Sequence, residues 1–256
     1  PPHRLVTAIR THYSPRQQLL EQVTGRLSDF RIVISENSTP THKEAKHNIQ
    51  IPNAVNTSVL TLKSNPQPPQ NPHFKALMVA RIDPRKDHRT MLQALQQLRD
   101  ELPTGFQITL IGEVTDTATQ KQIETIIRRY NLTPVIRQLP ATERIEDYYH
   151  ATDITLLTSN SEGFANVVLE SFACGVPIII SEAANTHQLV EHGINGWIFP
   201  TGDSQALAKC LRNTWQTSTE QRTQMGYRGR VIAEQYSIQK MVERYQELYD
   251  RLSKFS

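Results

Sequence analysis

Short apolar runs and amphipathic stretches take turns along most of this chain. From FKALMVA (residues 74–80) onward, each apolar run is followed by a segment whose apolar residues recur three or four positions apart. Met91, Leu92, Leu95 and Leu98 follow a start at Asp87, and after QITLIG come Ile123, Ile126, Ile127 and Tyr130. The same alternation predicts strand VIRQL, helix TERIEDYYHA, strand ITLLTS, helix NVVLESFACG, strand PIIIS, helix HQLVEHG, strand GWIFP and helix DSQALAKCLRNTW. Short apolar strands joined by helices read as a parallel sheet covered on both faces, a doubly wound α/β fold. Two more helical segments, near Glu220 to Gln235 and Ile238 to Lys254, end the chain, the last with Met241, Tyr245, Leu248 and Leu252 on one face.

Upstream the pattern is sparser. RLVTAI and FRIVIS have strand character, Pro15 to Leu27 has helical spacing, and IQIPNAVN reads as a short strand and turn. SNPQPPQNP, from Ser64 to Pro72, holds four prolines in nine residues, which removes backbone donors and keeps the chain extended. It reads as a linker over 64–72, dividing a part-domain at 1–63 from a larger domain at 73–235, with a terminal helix at 236–256. The chain opens PPHRLVTAI without an initiator Met and enters a strand at once, the pattern expected of a fragment.

Composition narrows the function classes. With 38% apolar residues in 256, an ordinary core can form. The longest apolar run is far shorter than the ~20 residues of a spanning helix, and no signal-peptide pattern is present, so a cytoplasmic location is expected. A net charge of +3 is too small to imply nucleic acid, although it permits peripheral contact with an anionic membrane surface. Cys174 and Cys210 have no metal or redox spacing and read as reduced, structural residues. The chain lacks GxGxxG, GxxxxGK[ST] and GxSxG, which argues against hydride transfer, Walker-type hydrolysis and an esterase-like nucleophile.

In a doubly wound sheet, ligands bind beyond the carboxyl ends of the strands, so the turns after strands carry the chemistry. After LMVA, Arg81, Arg85, Lys86 and Arg89 crowd a turn ahead of a helix capped by Asp87, which reads either as a solvated basic turn or as a phosphate site. After ITLIG the turn holds a single glycine, Gly112. After ITLLTSNS comes EGFANVVLESFACGVP, with a helix expected near Asn166 and the backbone N–H groups of Ala165 to Val167 at its open end. In a continuous helix Glu162 and Glu170 would stand roughly 12 Å apart, too far for an acid and base pair on one bond. They suit an elongated ligand held at two places through its hydroxyls. Taken singly, Glu162 also reads as a solvent-facing turn residue, and Glu170 as a surface residue or a buried one paired with Arg81 or Lys86.

The stretch from Ser159 to Asp203, with its Glu-x7-Glu pattern, resembles the retaining GT-B glycosyltransferases of family 4. ARIDPRKDH, IPNAV, RLSDFRIVIS and the MVERYQELYDRL helix extend the likeness. The resemblance implies two Rossmann-like domains with doubly wound parallel sheets, the N-terminal acceptor-side one only partly present in residues 1–63. Residues 73–235 would bind the donor, and 236–256 would pack back toward the N-terminal domain. It implies transfer of a sugar from a nucleoside-diphosphate sugar to a glycan, lipid or small-molecule acceptor with retention, without a cofactor or metal. Arg81 and Lys86 would neutralise the departing diphosphate and Glu162 would hold the sugar. Gly163, Phe164, Ala165, Asn166 and Val167 would contact sugar and phosphate, Gly112 would line the donor site, and Glu170 would bind the ribose. His12 would lie near the anomeric carbon. Ala54, Ala80, Val114, Ala165 and Ala183–Ala184 depart from residues usual in the family, mostly glycines. A non-catalytic nucleotide-sugar-binding module and a GT-B epimerase are the competing readings.

Overall fold

The computed structural model describes residues 6–9, 30–33, 47–62 and 73–254, with side chains for 49–62 and 73–251. The proline-rich stretch 64–72, the helical spacing of Pro15 to Leu27 and His12 lie outside the described residues. Among the described residues there are two parallel sheets. A small one joins β1 (Val6–Ile9), β2 (Phe30–Val33) and β3 (His47–Gln50) in the order β1-β2-β3, with Val6 opposite Phe30 and Phe30 opposite His47.

The larger sheet contains β4 (Lys75–Val79), β5 (Gln107–Ile111), β6 (Ile136–Leu139), β7 (Ile154–Leu157), β8 (Ile178–Ser181) and β9 (Gly196–Phe199). Its order is β6-β5-β4-β7-β8-β9, so the winding reverses between β4 and β7. That reversal opens a crevice at the carboxyl ends of these two strands.

The helices are α1 (His88–Gln97), α2 (Thr117–Arg129), α3 (Ile145–His150), α4 (Asn166–Ala173), α5 (Ser204–Gln216), α6 (Thr219–Gln235) and α7 (Ile238–Lys254). Among the described residues no helix is long and apolar enough to cross a membrane. Successive residues of a strand face opposite sides, and β4 divides its core accordingly. Met78 packs with Met91, Leu95, Leu110, Leu207 and Leu211 under α1 and α5, whereas Leu77 packs with Leu157, Leu169, Phe172 and Ile180 under α4. Both central residues are almost fully buried. Asp87, Asp116, Asp203 and Ser218 cap α1, α2, α5 and α6 through their side chains, each supplying an acceptor for a backbone N–H that the first turn leaves unpaired.

Three expectations need correction. HQLVEHG forms no helix: Asn185 grips Val190 through both its backbone N–H and carbonyl, and Asn195 bonds to Glu191 N and Leu189 O. Gln188 adopts a left-handed backbone there, φ 51°, which a helix does not admit. TERIEDYYHA contracts to the six residues of α3. The strand expected in IQIPNAVN ends at Gln50, and the chain beyond it pairs only at Val55, whose N–H donates to Tyr236 O while its carbonyl accepts from Ile238 N. Beside that crossing, Ile49 and Ile51 pack against Met241, Tyr245 and Leu248 of α7.

Candidate active site

The turn after β4 is built by Asp83 and Asp87. Asp83 is buried, and its Oδ1 accepts from Arg85 N at 2.9 Å, closing a single 3₁₀ turn over Pro84–Lys86. Asp83 Oδ2 lies 3.7 Å from Arg81 Nη2 and 3.6 Å from Arg85 Nη2, which draws two guanidinium groups toward one buried carboxylate. Asp87 takes a left-handed backbone, φ 44°, and caps α1 through Thr90. Below it His88 is buried, and loss of solvation lowers its pKa to about 4, so its ring is neutral.

The turn after β7 meets this one directly. Thr158 Oγ1 donates to Lys86 O or Asp87 O, at 2.9 and 3.0 Å, and Asn160 N donates to Arg85 O at 2.8 Å. Across the junction Lys86 Nζ lies 2.5 Å from Glu162 Oε1, which also accepts from Ser159 Oγ at 2.6 Å. The turn after β5 is locked to the same place, with Ala80 N bonded to Ile111 O and Ile82 N to Glu113 O. A Cβ at Gly112 would collide with the carbonyl of Ala80, so the glycine is required by the protein's own packing.

These turns enclose a cavity of about 450 Å³ at the reversal of the sheet. Arg81, Lys86, Gly112, Glu162, Phe164, Ala165, Asn166 and Val167, all named from the sequence, line it. Gly163 and Glu170 do not. Gly163 sits beside the lining, its carbonyl facing Thr186 Oγ1, and a Cβ there would meet nothing within 4 Å. Glu170 lies further along α4, where Tyr149 OH donates to its Oε2 at 2.9 Å. The pairing with Arg81 or Lys86 weighed from the sequence is not formed, since Lys86 is taken by Glu162. Burial raises the Glu170 pKa, against the opposing effect of the Tyr149 hydrogen bond.

The first turn of α4 points into the cavity, and no side chain caps it at Ala165. Uncapped N–H groups, Arg81 and Lys86 together make an anion-receptive wall, while Glu162 supplies an acceptor for hydroxyls. Sequence reasoning missed Glu113 and Ala141 in the lining, Ser159 beside Glu162, and Tyr149 behind Glu170. It also missed Asn53, whose Nδ2 donates to Asn166 Oδ1 at 3.0 Å from across the linker. Position after a strand could have flagged Glu113 and Ala141; the others carry no local signal. Cys174 and Cys210 are unpaired and buried, with burial raising their thiols to about 12 and about 11.

Comparison with known proteins bears on this site. The family described as Glycosyl transferases group 1 matches residues 62–232. "Amylovoran biosynthesis glycosyltransferase AmsK" of Erwinia amylovora is 30% identical over 146 residues, covering 54% of this chain and 35% of the relative. "Putative colanic acid biosynthesis glycosyltransferase WcaL" of Escherichia coli K12 is 24% identical over 191 residues, covering 70% of this chain and 46% of the relative. The chain thus spans less than half the length of either. Among solved structures, Anabaena Alr3699/HepE, crystallised "in complex with UDP and glucose", superposes with a TM-score of 0.80 at 22% identity, over 98% of this chain and 71% of that one. This likeness shows the fold, an α/β architecture of GT-B type.

Proposed function

The chain belongs to the glycosyl transferases group 1 family, and we propose that it transfers a sugar from a nucleoside-diphosphate sugar to an acceptor hydroxyl with retention of configuration, as in family 4. The observation that carries this reading is the convergence of Arg81, Lys86, Glu162 and the uncapped start of α4 on one cavity at the reversal of the sheet. A diphosphate needs positive charge and free N–H groups, and a hexose needs hydroxyl acceptors; the cavity offers both on adjoining walls.

In this mechanism the diphosphate lies against Arg81, Lys86 and the N–H groups of Ala165 and Val167, the Asn166 N–H being bonded to Phe164 O. Their charge stabilises the leaving group as the bond from the anomeric carbon to phosphate oxygen breaks, so no metal is required. Glu162 accepts from sugar hydroxyls, and the open space over Gly163 gives the ring room to approach the backbone. Glu170 accepts from the ribose hydroxyls. The acceptor oxygen attacks the face the phosphate is leaving, and its proton passes to the departing phosphate oxygen. His12 belongs near the anomeric carbon in this scheme.

Residues 73–235 constitute the donor half and 1–63 contribute to the acceptor half. The UDP and glucose crystallised with HepE favour a uridine diphosphate hexose as donor. The biosyntheses named for AmsK and WcaL, of amylovoran and colanic acid, favour a glycan acceptor. Calorimetric titration with UDP, GDP and ADP, and with their hexose derivatives, tests the reading. Saturable binding of one nucleotide series, weakened in Lys86→Ala, is the expected result. A folded chain that binds none of them overturns it.

A further inference from the structure

Tyr149 is fully buried, and its hydroxyl is aimed at Glu170. It comes from α3, a helix of six residues that is too short to hold its own shape in water. The outer face of α3 is fastened instead to the segment preceding the linker. Glu146 Oε1 accepts from Thr61 N at 3.0 Å and from Thr61 Oγ1 at 2.7 Å, and His150 Nε2 lies 2.8 Å from Thr61 O. The inner face carries the Tyr149 ring into the core beneath α4, so the position of the hydroxyl is set from both sides.

Glu170 has no salt-bridge partner among the described residues, and its Oε1 has no hydrogen bond there. A carboxylate in that setting would rotate or take up a proton unless one oxygen were held. We infer that Tyr149 is the positioning residue of the nucleoside end of the site, its hydroxyl occupying Oε2 of Glu170 so that Oε1 faces a ribose-like diol. This inference rests on the assignment of Glu170 to the nucleoside made above. Tyr149 suits the task because burial beside Glu170 raises its own pKa well above 10, so the hydroxyl remains a donor. The other titratable groups around the pair are Cys174 at the C-cap of α4 and, facing that thiol, Glu146 of α3 and Arg230 of α6. The thiol is neutral near neutral pH, which leaves the tyrosine hydroxyl as the group that stabilises the Glu170 charge.

The test compares wild type, Tyr149→Phe and Glu170→Gln in binding inorganic pyrophosphate and whichever of UDP, GDP and ADP the wild-type chain binds. Tyr149→Phe keeps the ring and removes only the donor. The expected result is at least about a fivefold loss of nucleotide affinity with pyrophosphate binding unchanged, because a hydrogen bond to a charged group is lost at the nucleoside end alone. The loss should deepen as pH is lowered, since a carboxyl without its donor has a higher pKa and loses its charge sooner on acidification. Nucleotide binding by Tyr149→Phe equal to wild type at every pH overturns the inference, as does an equal loss of pyrophosphate binding. If Glu170→Gln also binds the nucleotide as wild type does, the assignment of Glu170 to the nucleoside is what fails. A loss in Glu170→Gln alone sinks only the role of Tyr149.

Discussion

Lys86 Nζ stands 2.5 Å from Glu162 Oε1, joining the turn after β4 to the turn after β7. The side chains are only 17% and 13% exposed, so the pair is poorly screened. The cation assigned to the diphosphate is therefore neutralised by the carboxylate assigned to the sugar. A diphosphate that enters competes with Glu162 for Lys86 and frees the carboxylate to accept from sugar hydroxyls.

Glu162→Gln preserves the shape of this junction and removes the competing charge. Nucleoside-diphosphate binding should be unchanged or tighter, while sugar transfer falls by about a hundredfold or more through loss of a transition-state contact. Titration alongside donor turnover checks both halves. Weaker nucleotide binding would count against the competition between Glu162 and the phosphate.

Arg81→Ala and Lys86→Ala should each weaken nucleoside-diphosphate binding by about 1–3 kcal/mol, the worth of a charge-assisted contact. They should differ in stability. The Arg81 side chain is 52% exposed and its loss leaves Asp83 still beside Arg85, whereas Lys86→Ala leaves the largely buried Glu162 without its cation. Urea unfolding should show the second variant to be the less stable one.

His88 sets an acid limit on the fold. Its pKa is about 4 in the folded chain against 6.5 when free, so the unfolded chain binds the extra proton between these values. Stability is thus fully present above about pH 6.5 and is lost as pH falls toward 4, by about 3 kcal/mol in all. His88→Asn should flatten this limb of the stability profile measured by denaturant titration; an unchanged slope would show that His88 does not produce it.

Helix α6 runs close against the turn that follows α4 at Gly226, where an added Cβ would strike the carbonyl of Gly175. That atom is backbone and cannot swing aside. Gly226→Ala should cost about 2–3 kcal/mol by overpacking, seen as a lower urea midpoint. Gly163→Ala meets no protein atom, so it should leave stability alone while weakening donor-sugar binding.

Much of this architecture is legible in the chain because its signals are local. The alternation of apolar runs with residues three and four apart placed β4 to β9 and α1, α2 and α5 to α7, and the aspartates at 87 and 203 start the helices that follow them. The basic turn at Arg81 to Lys86 and the acidic turn at Glu162 stand out for the same reason. Each follows an apolar strand, and strands of a parallel sheet end on one side.

The segment 187–193 shows the limit of such reading. Leu189 and Val190 are apolar and buried in a stretch that reads as a helix, yet two asparagine side chains take the backbone groups a helix would use. Side-chain competition of this kind depends on geometry that periodicity does not report.

Local signals along the chain fix which turns are charged, where most helices begin and much of what is buried. The partners emerge from the assembled fold: Lys86 with Glu162, Tyr149 with Glu170, Asn53 with Asn166 and Thr61 with α3. Those pairs are separated by 21 to 113 residues and meet because β4 lies beside β7 in the sheet and the chain before the linker returns to α3 and α4. Strand order is fixed by how whole elements bury their apolar faces together, a property of the assembled layers that no single segment carries.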